Sequence, residues 1–227
     1  MIQSLGRRLS LIFDRGADGP DLTGVVHPGA AVLHPLVDFV AYAEDCTLSG
    51  RIRLRSDRLT DMLNDHEELQ LVDVLVQSLA DREAVEVREV VVPRDELLSV
   101  HATGPRGDQA RRTRTRQTHV AITAGPYQVS GYLHTAPFLD ALAALHRRGP
   151  MVPLTDAVID YAVGGEWQRH RIGTLIVNRG AIDHIVETPE QDMTVIERLP
   201  ADRDLAASEL GAGLDIARLA DAARQAS

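Results

Sequence analysis

The hydrophobic and polar positions of this chain alternate in short runs, and the same order of runs occurs twice. Apolar residues recur at every second position from Cys46 to Leu54 and again from Tyr127 to Thr135, which is typical of strands with one buried face. Each run is followed by a segment in which apolar residues have helical spacing. Those residues are Leu59, Met62 and Leu63 in the first segment and Leu139, Leu142 and Leu145 in the second.

The alternation and the β-branched content predict five strands in each copy. The predicted strands lie near 37–44, 47–55, 69–78, 83–92 and 97–102 in the first copy, and near 117–124, 127–134, 151–161, 169–178 and 182–187 in the second. A short helix is expected between the second and third strands of each copy. Asp57 and Pro137 lie where helix starts are favoured.

Individual residues correspond between the two copies at nearly constant spacing. Gly50 aligns with Gly131 at an offset of 81 residues, and Asp73 aligns with Asp156 at an offset of 83. The last two strands align at an offset of 85. Small changes in offset are insertions of the kind that loops tolerate. The pattern therefore predicts a tandem repeat, and generic β-strand patterning is the alternative.

The expected fold class is mainly β (α+β), with two tandem pseudo-repeats and a C-terminal helix. Each repeat is expected to be a five-stranded bent sheet or small barrel with one short helix, because bending limits the exposed strand edges. Two copies side by side would resemble a covalently linked homodimer. The predicted segments are an irregular or docking segment at 1–35, repeats at 36–104 and 117–200, a basic linker at 105–116 and a helix at 201–227.

The composition indicates which cellular compartment and which classes of binding partner are favoured. The net charge is −9, which disfavours non-specific binding of nucleic acid by the chain as a whole. Cys46 is the single cysteine, so an intramolecular disulfide and a cysteine-based zinc site are both excluded. No apolar run reaches the length of a membrane span, and we expect no integral membrane segment. These observations predict a cytoplasmic protein.

One basic segment stands out from the acidic whole. Residues 105–116 contain five arginines and one aspartate, and the chain has no lysine. Arginine contacts phosphate through a planar, bidentate group, so a site for nucleic acid or another phosphate ligand is one interpretation. A solvated linker is the alternative, because the segment has almost no aromatic residues for base stacking. The candidate phosphate-binding residues are Arg111, Arg112, Arg114 and Arg116.

Motifs for catalysis are not found in the sequence. It contains no glycine-rich phosphate loop, nucleophile elbow, HExxH or EF-hand pattern, and the histidines lack metal-ligand spacing. We therefore expect no catalytic residues, no metal site and no cofactor. Cys46 is expected to be a half-buried structural thiol. The paired residues Asp73 and Asp156, and likewise Arg94 and Arg179, could form equivalent binding sites, but structural roles as caps, bridges and turn residues are favoured.

The segment RLTDMLN at 58–64, with LQLVDVLV and VVVPRDELLSV after it, resembles an uncharacterised bacterial family of small β-rich domains. That family's pattern includes an Arg-Leu-Ser/Thr-Asp-Phe-Leu-Asn helix, an apolar strand containing a Thr/Val-Asp pair and a Val-Asn-Arg/Lys segment. The second copy carries LTDA at 154–157 and VNR at 177–179 but lacks the helix motif. The resemblance spans roughly 40–187 and implies no particular activity. It marks Arg58, Asp61 and Asn64 as a candidate interaction motif.

The sequence thus favours a non-enzymatic interaction or scaffold protein with a protein partner or a second copy of itself. The alternative is nucleic-acid or nucleotide binding through the four arginines of the linker. A weaker alternative is an enzyme whose site lies between the repeats. A buried polar pocket at the repeat junction, lined by perturbed histidine or aspartate side chains, would favour that third interpretation.

Overall fold

The computed structural model describes residues 34–105 and 114–189, which contain ten strands and two short α-helices. The first five strands are β1 (Leu36–Ala43), β2 (Cys46–Arg53), β3 (Glu68–Ser78), β4 (Ala84–Pro93) and β5 (Leu97–His101). The second five are β6 (Arg116–Ala124), β7 (Tyr127–Thr135), β8 (Met151–Val163), β9 (Glu166–Asn178) and β10 (His184–Glu187). Helix α1 (Leu59–Asp65) follows β2, and α2 (Ala141–His146) follows β7. The prediction of a mainly β fold is confirmed.

All ten strands belong to one antiparallel sheet. The strand order is β10-β6-β7-β8-β9-β5-β1-β2-β3-β4. We call β1–β5 with α1 the first half and β6–β10 with α2 the second half. In each half four consecutive strands form a meander, and the fifth strand returns to pair with the first. The halves join where β5 pairs with β9, with Val100 opposite Ile176.

Each predicted strand overlaps an observed one, and every boundary lies within three residues of the prediction. The predicted helix starts were wrong. Helix α1 begins at Leu59, after Arg58 in an extended conformation. Helix α2 begins at Ala141, because the carboxylate of Asp140 accepts a hydrogen bond from the Ala143 N–H at 2.8 Å and so caps the first turn. Pro137 precedes that cap in the loop.

The apolar face predicted for α2 also differs from the observed one. Its buried residues are Ala141, Ala144 and Leu145, whereas Leu139 lies before the helix and is exposed. Residues 1–33, 106–113 and 190–227 lie outside the described residues. The predicted C-terminal helix, most of the N-terminal segment and most of the basic linker therefore remain predictions. Within the described part, no helix is long and apolar enough to cross a membrane.

The sheet carries two hydrophobic cores on opposite faces. In β1, Ala41 and Ala43 pack in the first core, whereas Tyr42 between them packs in the second. In β9, Ile176 packs in the first core, and its neighbours Leu175 and Val177 pack in the second. Because successive side chains of a strand point to opposite faces, the central strands are covered on both sides.

Strands β3 and β8 each contain one extra residue at an aspartate, so that the buried residues before and after it stay in the same core. Asp73 has φ 51° and Asp156 has φ 49°, the left-handed region that few residues other than glycine, asparagine and aspartate adopt. The pairing of β2 with β3 shifts register beside Asp73, and the pairing of β7 with β8 shifts beside Asp156. Both aspartates are exposed. They are therefore bulge residues, and Asp73 also forms an ion pair with Arg51, so its structural role is that of a bridge and not of a cap.

A glycine lies across from each bulge on the neighbouring strand. A Cβ atom on Gly50 would lie 3.0 Å from the carbonyl oxygen of Val72, and one on Gly131 would lie 3.1 Å from that of Thr155. These separations are tighter than most contacts of a real Cβ atom, so a side chain there would require the neighbouring backbone to move by a few tenths of an ångström. Glycine therefore suits the close approach of the bulged strand to its neighbour.

Candidate functional site

A cluster of aromatic and histidine side chains lies at the junction of the two halves. We define the junction cluster as Tyr42, His101, Tyr127, Tyr161 and His170. The ring centroid of Tyr42 lies 5.4 Å from that of His101 and 5.3 Å from those of both Tyr127 and Tyr161. The rings of Tyr161 and His170 stack at 5.7 Å. The cluster runs from the buried Tyr42 outward to the exposed His170.

Strand pairing explains how these residues meet although they are far apart in the sequence. Tyr42 lies opposite Ser99 in the pairing of β1 with β5, and His101 lies opposite Leu175 in the pairing of β5 with β9. Residues directly opposite each other in antiparallel strands share a face of the sheet. Tyr42 and His101 therefore reach the second core although their strands belong to the first half.

Each tyrosine of the cluster uses its hydroxyl in a hydrogen bond. The Tyr42 hydroxyl is bonded to Nε2 of His101 at 2.9 Å, and the Tyr161 hydroxyl is bonded to Nε2 of His170 at 3.3 Å. The Tyr127 hydroxyl donates to the carbonyl oxygen of Ala43 at 2.7 Å. The last bond connects β7 of the second half to the end of β1. The cluster therefore supports the junction with polar contacts as well as ring packing.

The environment of the junction favours the neutral form of its ionisable groups. Burial, together with the nearby His170, lowers the pKa of His101 to about 4. Burial raises the pKa values of Tyr42 and Tyr127 above their ordinary range. Burial and the neighbouring Asp45 raise the pKa of the Cys46 thiol to about 12. Desolvation disfavours charge in each of these groups.

These shifts limit the chemistry that the junction can perform. A nucleophilic cysteine needs a lowered pKa, and a general acid or base works best with a pKa near the working pH. The pKa of Cys46 is raised where a nucleophile needs a lowered one, and the pKa of His101 lies well below neutral pH. Cys46 is also buried. Within the described ranges, no group of three histidine, cysteine, aspartate or glutamate side chains is placed to hold a metal ion. The arrangement provides packing and hydrogen bonds.

The three residues of the candidate interaction motif have different surroundings: two lie at the surface and the third contacts the second half. Arg58 forms two hydrogen bonds to the carboxylate of Asp61, both at 2.8 Å, and both side chains lie at the surface. The Asn64 amide donates to the carbonyl oxygen of Met151 at 3.0 Å and accepts from its N–H at 3.0 Å. Asn64 therefore binds α1 to β8 of the other half.

Arg94 and Arg179 follow β4 and β9 in equivalent turns. Nη1 of Arg179 donates to the carbonyl oxygens of His146 at 2.6 Å and Arg148 at 2.8 Å, which lie at the end of α2. Arginine at a helix C-terminus satisfies carbonyls that have no helical partner. Arg94 pairs with Asp95 at 3.0 Å. These contacts are structural, in agreement with the favoured interpretation.

The structure describes two of the four arginines that were predicted to bind phosphate. Arg111 and Arg112 lie outside the described residues. Arg114 and Arg116 are exposed where β6 begins, and Arg116 lies opposite Thr135 of β7. Neither residue contacts the junction cluster through any described hydrogen bond or ion pair. The basic segment and the junction are therefore separate candidate sites.

Sequence reasoning missed the junction cluster. The pairing of β5 with β9 joins strands from different halves, and no local pattern encodes such a pairing. A signal was nevertheless present in the uninterrupted apolar runs VAYA at 40–43 and LIV at 175–177. Strands that are covered on both faces show continuous apolar runs instead of alternation.

Comparison with known proteins adds no identification. No protein-family model, curated protein or solved structure matches the chain. The resemblance to a family of small β-rich domains therefore remains a prediction. Function has to be argued from the residues and their geometry.

Proposed function

We propose that the chain consists of two tandem copies of one five-stranded bent unit, joined through β5 and β9. The shared strand order of the two halves supports this proposal. So do the equal backbone angles of Asp73 and Asp156. Ile182 and Ile185 pack against the second core as Leu97 and Val100 pack in the first, at the offset of 85 residues.

The function that this arrangement supports best is a non-enzymatic interaction or scaffold role in the cytoplasm. The observation that carries this proposal is the junction, where β5 pairs with β9 and burial lowers the pKa of His101 in the aromatic cluster. The two halves already associate by pairing β5 with β9. Another edge strand of the sheet can bind a partner in the same way, by adding a strand from that partner. The partner is a protein or a second copy of the chain.

The edge strand β4 is the surface on which we place the partner. It pairs with β3, and the described residues contain no strand on its other side. Its first part carries Glu86, Arg88 and Glu89, charges that protect an edge against unwanted pairing. Residues 90–92 are three consecutive valines without charge. Val90 and Val92 are buried in the first core, so Val91 faces the opposite side.

Native mass spectrometry of the chain purified at its natural expression level tests this proposal. A discrete complex with fixed stoichiometry, heavier than the 24.8 kDa chain, is expected. The substitution Val91→Glu should lower the yield of that complex about tenfold, equivalent to about 1.4 kcal/mol, because it places a charge at the pairing edge.

Leu75→Glu is the matched control for this experiment. Leu75 is an exposed apolar residue of the neighbouring strand β3, so the same charge is added away from the edge. The complex should survive this change. A chain that remains at 24.8 kDa under native conditions, or one that turns over a small-molecule substrate, would contradict the proposed function.

A further inference from the structure

Four arginines at one end of the second half form no ion pair with any acidic residue that the structure describes. Five other described arginines do form ion pairs: Arg51, Arg58, Arg82, Arg94 and Arg169. No ion pair or side-chain hydrogen bond is found within the described part of the chain for the four at this end. We call them the basic end, and they are Arg114, Arg116, Arg147 and Arg148.

The fold brings these residues together from two separate parts of the sequence. Arg116 lies opposite Thr135, so the start of β6 is beside the end of β7. The hydroxyl of Thr115 is bonded to Nδ1 of His134 at 3.0 Å. The charge of Arg148 lies close enough to His134 to help lower its pKa, after the larger effect of burial. His134 therefore connects the start of β6 to the end of α2.

Arg148 is half-buried, and burial lowers the pKa of its guanidinium below the ordinary value. A partly desolvated cation gains more from an anion than a fully solvated one does. The acidic groups nearby do not fill this role. Asp140 caps α2, and the exposed Asp156, whose charge acts to raise the pKa of His134, forms no ion pair in the described ranges. The arginines of the basic end are therefore available to bind an added anion.

An aromatic side chain completes the basic end. Phe138 is 101% exposed, although a phenylalanine normally buries its ring. It lies three residues after Thr135, so its Cα is within about 11 Å of that residue, the partner of Arg116. The sequence alone shows no aromatic residue among the linker arginines. The turn after β7 supplies one from outside the linker.

We propose that the basic end binds single-stranded nucleic acid, with the arginines on successive phosphates and a base stacked on Phe138. Guanidinium groups bind phosphate oxygens in bidentate geometry, and the exposed Phe138 ring, in the turn that follows the partner of Arg116, provides a stacking platform. The charge is local, which reconciles this site with an acidic chain. The apolar area is one phenylalanine and the neighbouring Leu139, small for insertion into a membrane.

Fluorescence anisotropy of the full chain with a labelled single-stranded RNA or DNA of about 12 nucleotides tests the proposal. Binding should weaken as salt rises from about 50 to 200 mM. The variant Arg114→Ala/Arg116→Ala should lose affinity about tenfold or more. It should also reduce the slope of log K against log salt by about 1.4, since each phosphate contact on a single strand contributes about 0.7.

The matched control is Arg53→Ala/Arg55→Ala. These two arginines are also exposed and without ion pairs in the described part of the chain, but they belong to the first half. The variant has the same net charge as the test variant, so a general charge effect would weaken both equally. Full affinity of the control with loss in the test variant supports the site. Equal loss in both would overturn it.

Phe138→Ala isolates the contribution of stacking. It should weaken binding about tenfold without changing the salt slope, because stacking releases no counterions. Trp167→Ala, which removes an aromatic that is 64% exposed at the far hairpin, should leave affinity unchanged. Absence of oligonucleotide binding by the folded chain would overturn the proposal. Binding of anionic phospholipid vesicles in place of oligonucleotides, dependent on Phe138, would also overturn it in favour of a membrane surface.

Discussion

At the scale of single residues, a glycine and an aspartate on adjacent strands mark the β-bulge of each half. The glycine is favoured because a Cβ atom at Gly50 or Gly131 would crowd the backbone of the bulged strand. The aspartate is favoured because its short polar side chain tolerates the left-handed backbone. This combination of a glycine and a bulged aspartate on adjacent strands occurs once in each half.

Gly50→Ala and Gly131→Ala should each lower the free energy of unfolding by about 1–3 kcal/mol, because the added methyl group forces the backbone apart. Urea denaturation monitored by circular dichroism measures the loss. Gly173→Ala is the control, since a Cβ at that position meets nothing within 4 Å. A stability loss in the control equal to that of the test variants would contradict the explanation.

Asp73→Gly and Asp156→Gly should be tolerated better than Asp73→Ala and Asp156→Ala. Alanine at a positive φ costs about 1 kcal/mol, whereas glycine adopts that region freely. Thermal unfolding of the four variants gives the comparison. If alanine proved as stable as glycine at both positions, the assigned bulge conformation would be wrong.

The alignment of the copies identified the positions of these residues but not their backbone conformation. The relevant signal is a skipped step in the apolar alternation, from Leu71 to Val74 and from Leu154 to Ala157. The skip shows that one residue is inserted while the strand continues to bury the same face. It does not specify which residue takes the positive φ, because that depends on contact with the neighbouring strand.

At the scale of elements, α1 is the clearest case of a local motif used for a long-range contact. Asn64→Ala should lower the free energy of unfolding by about 2 kcal/mol, because the N–H and carbonyl of Met151 lose their side-chain partner. Chemical denaturation measures this loss. Asp65→Ala, at the exposed end of the same helix, should leave stability unchanged or slightly raised. A similar loss in both variants would indicate a general effect on the helix.

Strands were predictable from the sequence because each has its own alternating or continuous apolar pattern. Helix starts were less predictable, since Asp57 and Asp140 are both acceptable caps by residue type and only Asp140 makes the bond. The pairing of β5 with β9 had no sequence signal of its own. The positions that it brings together, such as Val100 and Ile176, lie 76 residues apart.

At the scale of the whole molecule, the junction cluster should make stability depend on pH. The folded-state pKa of His101, about 4, lies below its ordinary value of 6.5. The folded chain therefore binds fewer protons than the unfolded chain between these values. Stability from neutral His101 is fully present above about pH 6.5 and is lost as pH falls toward 4, by about 2 kcal/mol after allowance for partial solvent exposure.

Urea denaturation at a series of pH values checks this expectation. His101→Gln keeps a side-chain partner for the Tyr42 hydroxyl but removes the titrating group, so its stability should change less between pH 6.5 and 4. His170 stacks on Tyr161 in the same cluster, and His170→Gln is the control that leaves His101 in place. An unchanged pH dependence in His101→Gln would contradict the assignment.

The candidate site was the least predictable part of the molecule. Tyr42, His101 and Tyr161 become neighbours only through the order of strands, and the sequence places each in an unremarkable β pattern. Arg114 and Arg116 were recognised from composition, but Phe138 and Arg148 join them only in the fold. The proposed interaction role is based on how the two halves meet, which is a property of the complete sheet.

The central claim is that the two halves are equivalent units joined at β5 and β9, and solution NMR tests it most directly. Nuclear Overhauser contacts should connect Gly50 with Val72 and Val74, and Gly131 in the same way with Thr155 and Ala157. Further contacts should connect Val100 with Ile176. Matching contacts in both halves are the predicted result. Contacts that place Gly50 and Gly131 against non-equivalent strands would contradict the account.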